Sequence, residues 1–226
     1  MEKDNLSVYM ILASGEQFNA SATSHADLFW AICGAGQNFS VATAFTFQAY
    51  AQKNPVFAGP VFLPDKIPHI VAFANKFHAT NDGNYTMLCG FSAPPPANTP
   101  VVLTQLFPNG TKDEGKSFFA DLFQLGPIAN MTSMIPYENL NSLLNSSAGF
   151  DGRKQFGGSA FKLPLDPDFV TQLHADLTAF TTSHARVNES KLLCETIPYS
   201  EVVKVPNEQM AFSNRGHYYN VAAMFK

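Results

Sequence analysis

Apolar residues change their spacing several times along the first fifty positions, and each change marks an element. Leu6 to Leu12 alternates and predicts a strand. Ala13-Ser14-Gly15-Glu16 reads as a hairpin turn leading into a second strand over Gln17–Ala20. From Ser24 to Tyr50 the chain reads as a short helix, a glycine turn and a long strand. Ser24 is the expected N-cap, with Asp27 three residues on as a weak capping-box partner. Leu28, Phe29 and Ile32 fall on one side of that helix, and Gly34-Ala35-Gly36 ends it, because glycine reaches backbone angles other residues avoid. From Phe39 the period is two. Phe39, Val41, Thr43, Phe45 and Phe47 are expected on one face, and Ser40, Ala42, Ala44, Thr46 and Gln48 on the other. The second face is small and polar, so a bulky group could lie against it.

Ala51–Pro55 reads as a linker, which places a domain boundary near residue 52 and gives expected domains of 1–51 and 52–226. Beyond it, Val56–Phe62, Tyr85–Phe91, Val101–Phe107, Ile128–Tyr137, Phe156–Leu163, Lys191–Ile197, Glu201–Val205 and Gly216–Phe225 are predicted as strands. Asp65–Ala79 has helical spacing at Ile67, Ile70, Val71, Ala74 and Phe77, with Pro68 tolerated only in the first turn. Lys112–Leu125 is a helix that buries Phe119, Leu122 and Phe123. Glu138–Leu144 is a short helix, and Asn145–Lys154 is a loop. A helix starting at Asp166-Pro167 and running to about His184 carries a stripe of Phe169, Leu173, Leu177 and Phe180. Interleaved helices and strands with short loops predict an α+β fold, an antiparallel sheet with helices on one face.

Composition narrows the class. The chain has 226 residues, 46% of them hydrophobic and only 14% charged, with 21 Phe, which describes a globular chain with a large core. A net charge of −4 leaves no electrostatic footprint for nucleic acid. No apolar run approaches the roughly 20 residues of a membrane helix. The start, M-E-K-D-N-L, lacks the basic and apolar regions of a signal peptide. Cys33, Cys89 and Cys194 are widely spaced and read as buried free thiols rather than a disulfide framework or zinc site. His25, His69, His78, His174 and His184 show no metal-ligand spacing, so no metal is expected. Sequons at Asn19, Asn84, Asn109, Asn130 and Asn188 matter only if the protein is secreted.

The segment D-L-F-W-A-I-C-G-A-G-Q-N-F-S-V-A-T resembles the D-L-F-W-A-L-R-G-G-G-G-N-F-G-V-V-T segment of FAD-linked oxidoreductases, the berberine-bridge-enzyme-like family with a flavin domain of the p-cresol methylhydroxylase (PCMH) type. The resemblance implies that Gly34, Gly36, Asn38, Phe39 and Val41 approach the nucleotide part of FAD. A bare turn backbone with free N–H groups suits a pyrophosphate. Ala35, Gln37 and Ser40 stand where the family keeps glycine. V-F-A-G-P-V-F-L-P, D-E-G-K-S-F-F-A-D-L-F-Q-L-G-P-I-A, M-I-P-Y-E-N-L-N-S-L-L-N and F-S-N-R-G-H-Y-Y-N-V resemble the substrate domain of fungal members, so the match covers nearly the whole chain. The implied arrangement is the end of a PCMH-type FAD-binding domain followed by a substrate-binding domain. The family's first FAD subdomain and C-terminal segment have no counterpart here, so the chain reads as an internal fragment.

The implied activity is FAD-dependent oxidation of a small organic molecule by hydride transfer to flavin, with molecular oxygen as acceptor. The alternative is a truncated, inactive remnant that at most binds a ligand or partner. Candidate catalytic residues are Glu195, Tyr137 and Tyr219. Glu195 lies between Leu193 and Ile197 on one strand face, and a half-buried carboxylate is suited to act as a base. A strand-end carboxylate that is exposed or paired with lysine is the competing reading. Tyr137 could donate a hydrogen bond to substrate or simply fill core. In N-R-G-H-Y-Y-N, Tyr219 and Val221 share one face and Tyr218 and Asn220 the other. The sequence does not say which tyrosine meets substrate. His217 is a candidate base whose competing, structural reading is favoured, and Arg215 reads as the partner of a carboxylate rather than of substrate.

Overall fold

The computed structural model describes residues 5–50, 56–94, 97–130, 132–140, 142, 152–184 and 187–226. Most of the 145–154 loop and the end of the 138–144 helix fall outside these residues. The chain forms two compact units: Met1–Gln52 with Ser200–His217, and Lys53–Tyr199 with Tyr218–Lys226. The expected linker, Ala51–Pro55, lies outside the described residues, and the stretch Ser200–His217 groups with the first unit.

In the first unit, β1 (Asn5–Leu12), β2 (Gln17–Ser21) and β3 (Ser40–Phe47) form an antiparallel sheet in the order β2-β1-β3, with helix α1 (Ala26–Ala35) between β2 and β3. Val8, Met10 and Ala20 are buried beneath Leu28, Phe29 and Ile32 of α1, the helix side the sequence selected. The N-cap differs from the sequence reading. His25, in a left-handed conformation, occupies that position without a side-chain cap, because the Ser24 backbone is engaged in a two-way bridge with Ser21.

In the second unit, β4 (Val56–Phe62), α2 (Ile67–Thr80), β5 (Tyr85–Ser92), β6 (Val101–Pro108), α3 (Lys112–Phe118), α4 (Ala120–Phe123), β7 (Ala129–Asn130), β8 (Met134–Ile135), β9 (Gln155–Phe161), α5 (Pro167–Ser183), β10 (Lys191–Thr196) and β11 (Tyr219–Phe225) follow in sequence. The strands make one eight-stranded antiparallel sheet in the order β7-β4-β6-β5-β10-β11-β9, with β8 also on β4. All the helices cover one face. Ile67, Ile70, Val71, Ala74 and Phe77 of α2, Phe119, Leu122 and Val170 pack on Phe62, Met87, Phe91, Val102 and Leu106.

Several local choices explain the boundaries. A Thr111–Glu114 capping box starts α3, and Asp166 caps α5 by accepting from Asp168 N–H at 2.9 Å. Gly59-Pro60 forms a bulge in β4, where a Cβ on Gly59 would sit 1.9 Å from the Thr104 carbonyl oxygen. The predicted single strand at 128–137 is two short pieces, and 201–205 contains a 3-10 turn, Val202–Lys204, instead of a strand. The α5 stripe is rotated: Val170 and His174 are buried with Leu173 and Leu177 packed beside them, while Phe169 is 59% exposed. His174 meets the Phe91 ring edge-on at 5.1 Å, and burial lowers its pKa, which marks a neutral core histidine. No described helix is long and apolar enough to cross a membrane, and the described residues hold no His/Cys/Asp/Glu group suited to a metal.

Candidate functional site

The first candidate region is the turn after α1. The helix breaks at Cys33 and Gly34, with Gly34 at φ 142°, a conformation that favours glycine. The break turns the last helical carbonyls towards the returning segment. Ala211 N–H donates to the Trp30 carbonyl at 3.1 Å, and Phe212 N–H to the Cys33 carbonyl at 3.0 Å. Trp30 Nε1–H donates to the Glu208 carbonyl at 2.8 Å. A Cβ on Gly34 would stand 2.2 Å from the Phe212 nitrogen, so the residue is glycine because the chain's own backbone fills that space. Arg215 reinforces the contact, with Nε–H donating to the Phe212 carbonyl at 3.1 Å and the guanidinium over the Phe212 ring at 5.3 Å.

Below the break, Gly36–Asn38 forms a 3-10 turn, closed by Phe39 N–H donating to the Gly36 carbonyl at 3.1 Å. An open cleft of about 360 Å³ lies here, lined by Ile32, Gly34, Gly36, Gln37, Ser40, Ala42 and Phe45. The last three come together through a bulge. The β1–β3 register shifts between Tyr9 and Met10, so that Val8 opposes Phe45 while Met10 opposes Ala42. The strand's alternation therefore switches at Thr43, and Phe45 joins the side of Ser40 and Ala42, opposite to the sequence reading. Phe45 stacks on Phe47 at 5.6 Å, two residues along the same side.

Among the positions nominated for cofactor binding, Gly34 and Gly36 line the cleft. Asn38 and Phe39 flank it, and Val41 alternates to the other face of the sheet opposite Ile11. Gln37 and Ser40, two of the departures from the family's glycines, are cleft residues. Beside Cys33, the buried Asn5 Oδ1 has no hydrogen-bond partner among the described residues, while its Nδ2 donates to Cys33 Sγ at 3.9 Å. The cleft wall combines bare turn backbone at Gly34 and Gly36 with the side chains of Ile32, Gln37, Ser40, Ala42 and Phe45.

The second candidate region is the sheet face of the second unit that the helices leave open. Directly opposed antiparallel residues share a face. The register Ala160–Asn220–Glu195–Leu88–Gln105 therefore runs as one row across β9, β11, β10, β5 and β6. Glu195 is half-buried in this row, with Leu193 as its same-face neighbour along β10. In the next row Gly158 and Ala222 are small, while the Leu193 side chain covers Gly90.

Tyr219 lies on the opposite, helix-covered face with Val221 and Phe161, 5% exposed, and shares a 2.6 Å hydrogen bond with His78 Nδ1. Burial, with a smaller contribution from Tyr199, pushes its pKa up to about 12. The structure therefore separates Glu195 and Tyr219 by the thickness of the sheet. Tyr137 is 48% exposed just after β8, beyond the β4 edge. Two strands, β6 and β5, intervene between β4 and β10, a lateral separation of about 14 Å at ordinary strand spacing. Sequence reasoning did not single out Asn220 or Gln105 as site residues; their alternation with Glu195 across strands becomes visible only once the register is known.

Cys89 and Cys194 oppose each other on the covered face, and burial pushes the Cys194 thiol up to about 11 and Cys89 further still. Both are half-buried free thiols that burial holds in the protonated form.

No protein-family model matches the chain. Over 225 residues it is 30% identical to the FAD-linked oxidoreductase pgmH of Aspergillus terreus, covering 94% of this chain and 46% of that protein. A variant of berberine bridge enzyme in complex with (S)-reticuline superimposes with a TM-score of 0.75 at 18% identity, over 99% of this chain and 46% of that one. The xylooligosaccharide oxidase of Myceliophthora thermophila C1, solved with xylobiose, gives a TM-score of 0.70 at 19% identity over 99% of this chain and 50% of the oxidase. Along nearly its whole length the chain is similar to FAD-linked oxidoreductases, it shares its fold with berberine bridge enzyme, and it spans about half the length of the relatives it matches.

Proposed function

We propose that this chain serves an FAD-dependent oxidoreductase that removes a hydride from a small organic substrate. The observation that supports it most is the pairing of two features in one chain that matches FAD-linked relatives along nearly its whole length. One is the cleft at Gly34–Phe45. The other is the open sheet row carrying Glu195 opposite Asn220. FAD, when bound, supplies the two-electron acceptor chemistry.

The protein's own part is to bind, orient and move a proton. Gly34, Gly36 and the backbone of the Gly36–Phe39 turn hold the nucleotide portion. Phe39 supports the turn from its flank, and Asn38 and Val41 fix the start of β3. In the second unit, the Glu195 carboxylate accepts a proton from the substrate while Asn220, opposite it, orients the reacting group. Gly158 and Ala222 leave room for a flat, largely apolar substrate over the sheet. Tyr219 supports β11 from behind, and Tyr137 contributes at the rim of the sheet. Molecular oxygen is the proposed final acceptor, in line with the oxidase named among the structural relatives.

The test is to incubate the purified 226-residue chain with FAD, pass it through gel filtration and record the visible spectrum. A retained flavin spectrum is the expected result. Colourless protein at saturating FAD would refute binding by this chain and favour the inactive remnant.

A further inference from the structure

His78, in the last turn of α2, stands between two tyrosines that lie far from each other in sequence. Its Nδ1 shares a 2.6 Å hydrogen bond with the Tyr219 hydroxyl, and its Nε2 a longer one of 3.5 Å with the Tyr199 hydroxyl. The rings form a closed cluster. His78 meets Tyr219 edge-on at 5.7 Å and Tyr199 at 5.7 Å, Tyr199 and Tyr219 are 5.0 Å apart, and Phe161 backs Tyr219 at 5.6 Å.

The positions of these tyrosines in the chain give the cluster its meaning. Tyr199 is the last residue of the second unit before Ser200–His217 departs, and Tyr219 is the first residue of β11 after that segment comes back. Ser200–His217 is built largely of loops and short 3-10 turns, with no strand or α-helix of its own. Yet it must deliver Ala211 and Phe212 in register to the Trp30 and Cys33 carbonyls and hold Phe212 against Gly34. A segment with no regular structure keeps such a register only if its ends are fixed, because freedom at the ends multiplies the conformations to be excluded.

We propose that His78 is a positioning residue: it clamps Tyr199 to Tyr219, closing the neck of the Ser200–His217 segment and fixing where β11 begins. Imidazole suits this role because a neutral ring offers one nitrogen that accepts and one that donates, on two sides of a rigid plane, in either tautomer. The clamp lies on the helix-covered face, so it acts on the open face only through β11, whose next residue, Asn220, is registered against Glu195. The inference stands independently of flavin binding.

Amide hydrogen exchange on the full chain tests it. In His78→Leu, peptides covering 200–219 and 33–36 are expected to exchange about 10-fold faster, the effect of losing a part-buried hydrogen bond and its exposed partner on a local opening. Peptides from β5 and β6 should be unchanged. His78→Asn, which keeps a polar partner for Tyr219, should restore part of the protection. Exchange of 200–219 within twofold of wild type in His78→Leu would overturn the proposal, as would loosening confined to the end of α2. Should His78→Leu unfold the whole second unit, Tyr219→Phe decides, since it keeps the ring and removes only the hydroxyl. Faster exchange of 200–219 in that variant supports the clamp, and wild-type exchange refutes it.

Discussion

β3 and β6 are both eight-residue strands rich in apolar residues, S-V-A-T-A-F-T-F and V-V-L-T-Q-L-F-P, yet their surroundings are opposite. In β6, Val102, Thr104 and Leu106 are buried on the face that the helices cover. In β3 almost every residue is exposed, including Val41 at 68% and Phe45 at 51%. Period-two apolar patterning specifies a strand in both; it does not specify what covers the strand. Among the described residues the first unit buries Val8, Met10, Ala20, Ala31 and Cys33, none of them aromatic, while the second carries an aromatic core around Phe73, Phe77, Phe118 and Phe119. Stability should therefore reside in the second unit, and the exposed surface of the first should be available for binding.

Substitutions sharpen or break this contrast. The largest effect is expected from Phe77→Ala. Phe77 is 2% exposed and packs against Phe73, Phe118 and Phe119. Its truncation should cost about 3–5 kcal/mol in denaturant unfolding. Gly34→Ala should follow at about 3 kcal/mol, combining a disfavoured backbone angle with an unavoidable clash. Its damage should show as accelerated exchange in 26–36 and 208–215, with the second unit intact. Uniform destabilisation of both units would contradict the division drawn here.

Glu195→Gln should leave the unfolding midpoint unchanged but lower turnover of a flavin-loaded form by about 100-fold or more, in the range of a lost catalytic base. Full activity in that variant would remove Glu195 from the chemistry. Alkaline titration probes the covered face. Tyr219 holds its proton to about pH 12 in the folded protein against an ordinary 10. Above pH 10 the unfolded chain releases this proton before the folded chain does. The corresponding stability is thus complete below pH 10 and lost as pH rises towards 12. Tyr219→Phe should flatten that part of the stability profile and remove the latest-titrating phenol from the ultraviolet spectrum. The smallest effect is expected at Phe45→Ala, under about 1 kcal/mol on folding because the ring is already half in solvent, although FAD retention should fall. A cost matching that of Phe77→Ala would mean that β3 is covered after all.

Local chemistry made much of this legible in advance. The β1–β2 hairpin, the buried side of α1, the stop at Gly34, Pro68 in the first turn of α2 and the start of α5 at Asp166-Pro167 all follow from spacing and backbone preference within a few residues. Glu195 could be placed on a strand for the same reason.

What needed the tertiary structure depends on partners distant in sequence. The bulge opposite Tyr9–Met10 carries Phe45 to the cleft side, and nothing in the alternation of β3 announces it. Sheet order seats Glu195 in a central strand, away from Tyr137, and the register of β11 turns Tyr219 to the helices and Asn220 to Glu195. The return of Ser200–His217 to α1 shows why residue 34 must be glycine: the space a side chain would need belongs to the backbone of Phe212. Period and propensity are properties of neighbouring residues and can be read along the chain. Face, register and close approach are properties of pairs brought together by folding, and only the folded chain decides them.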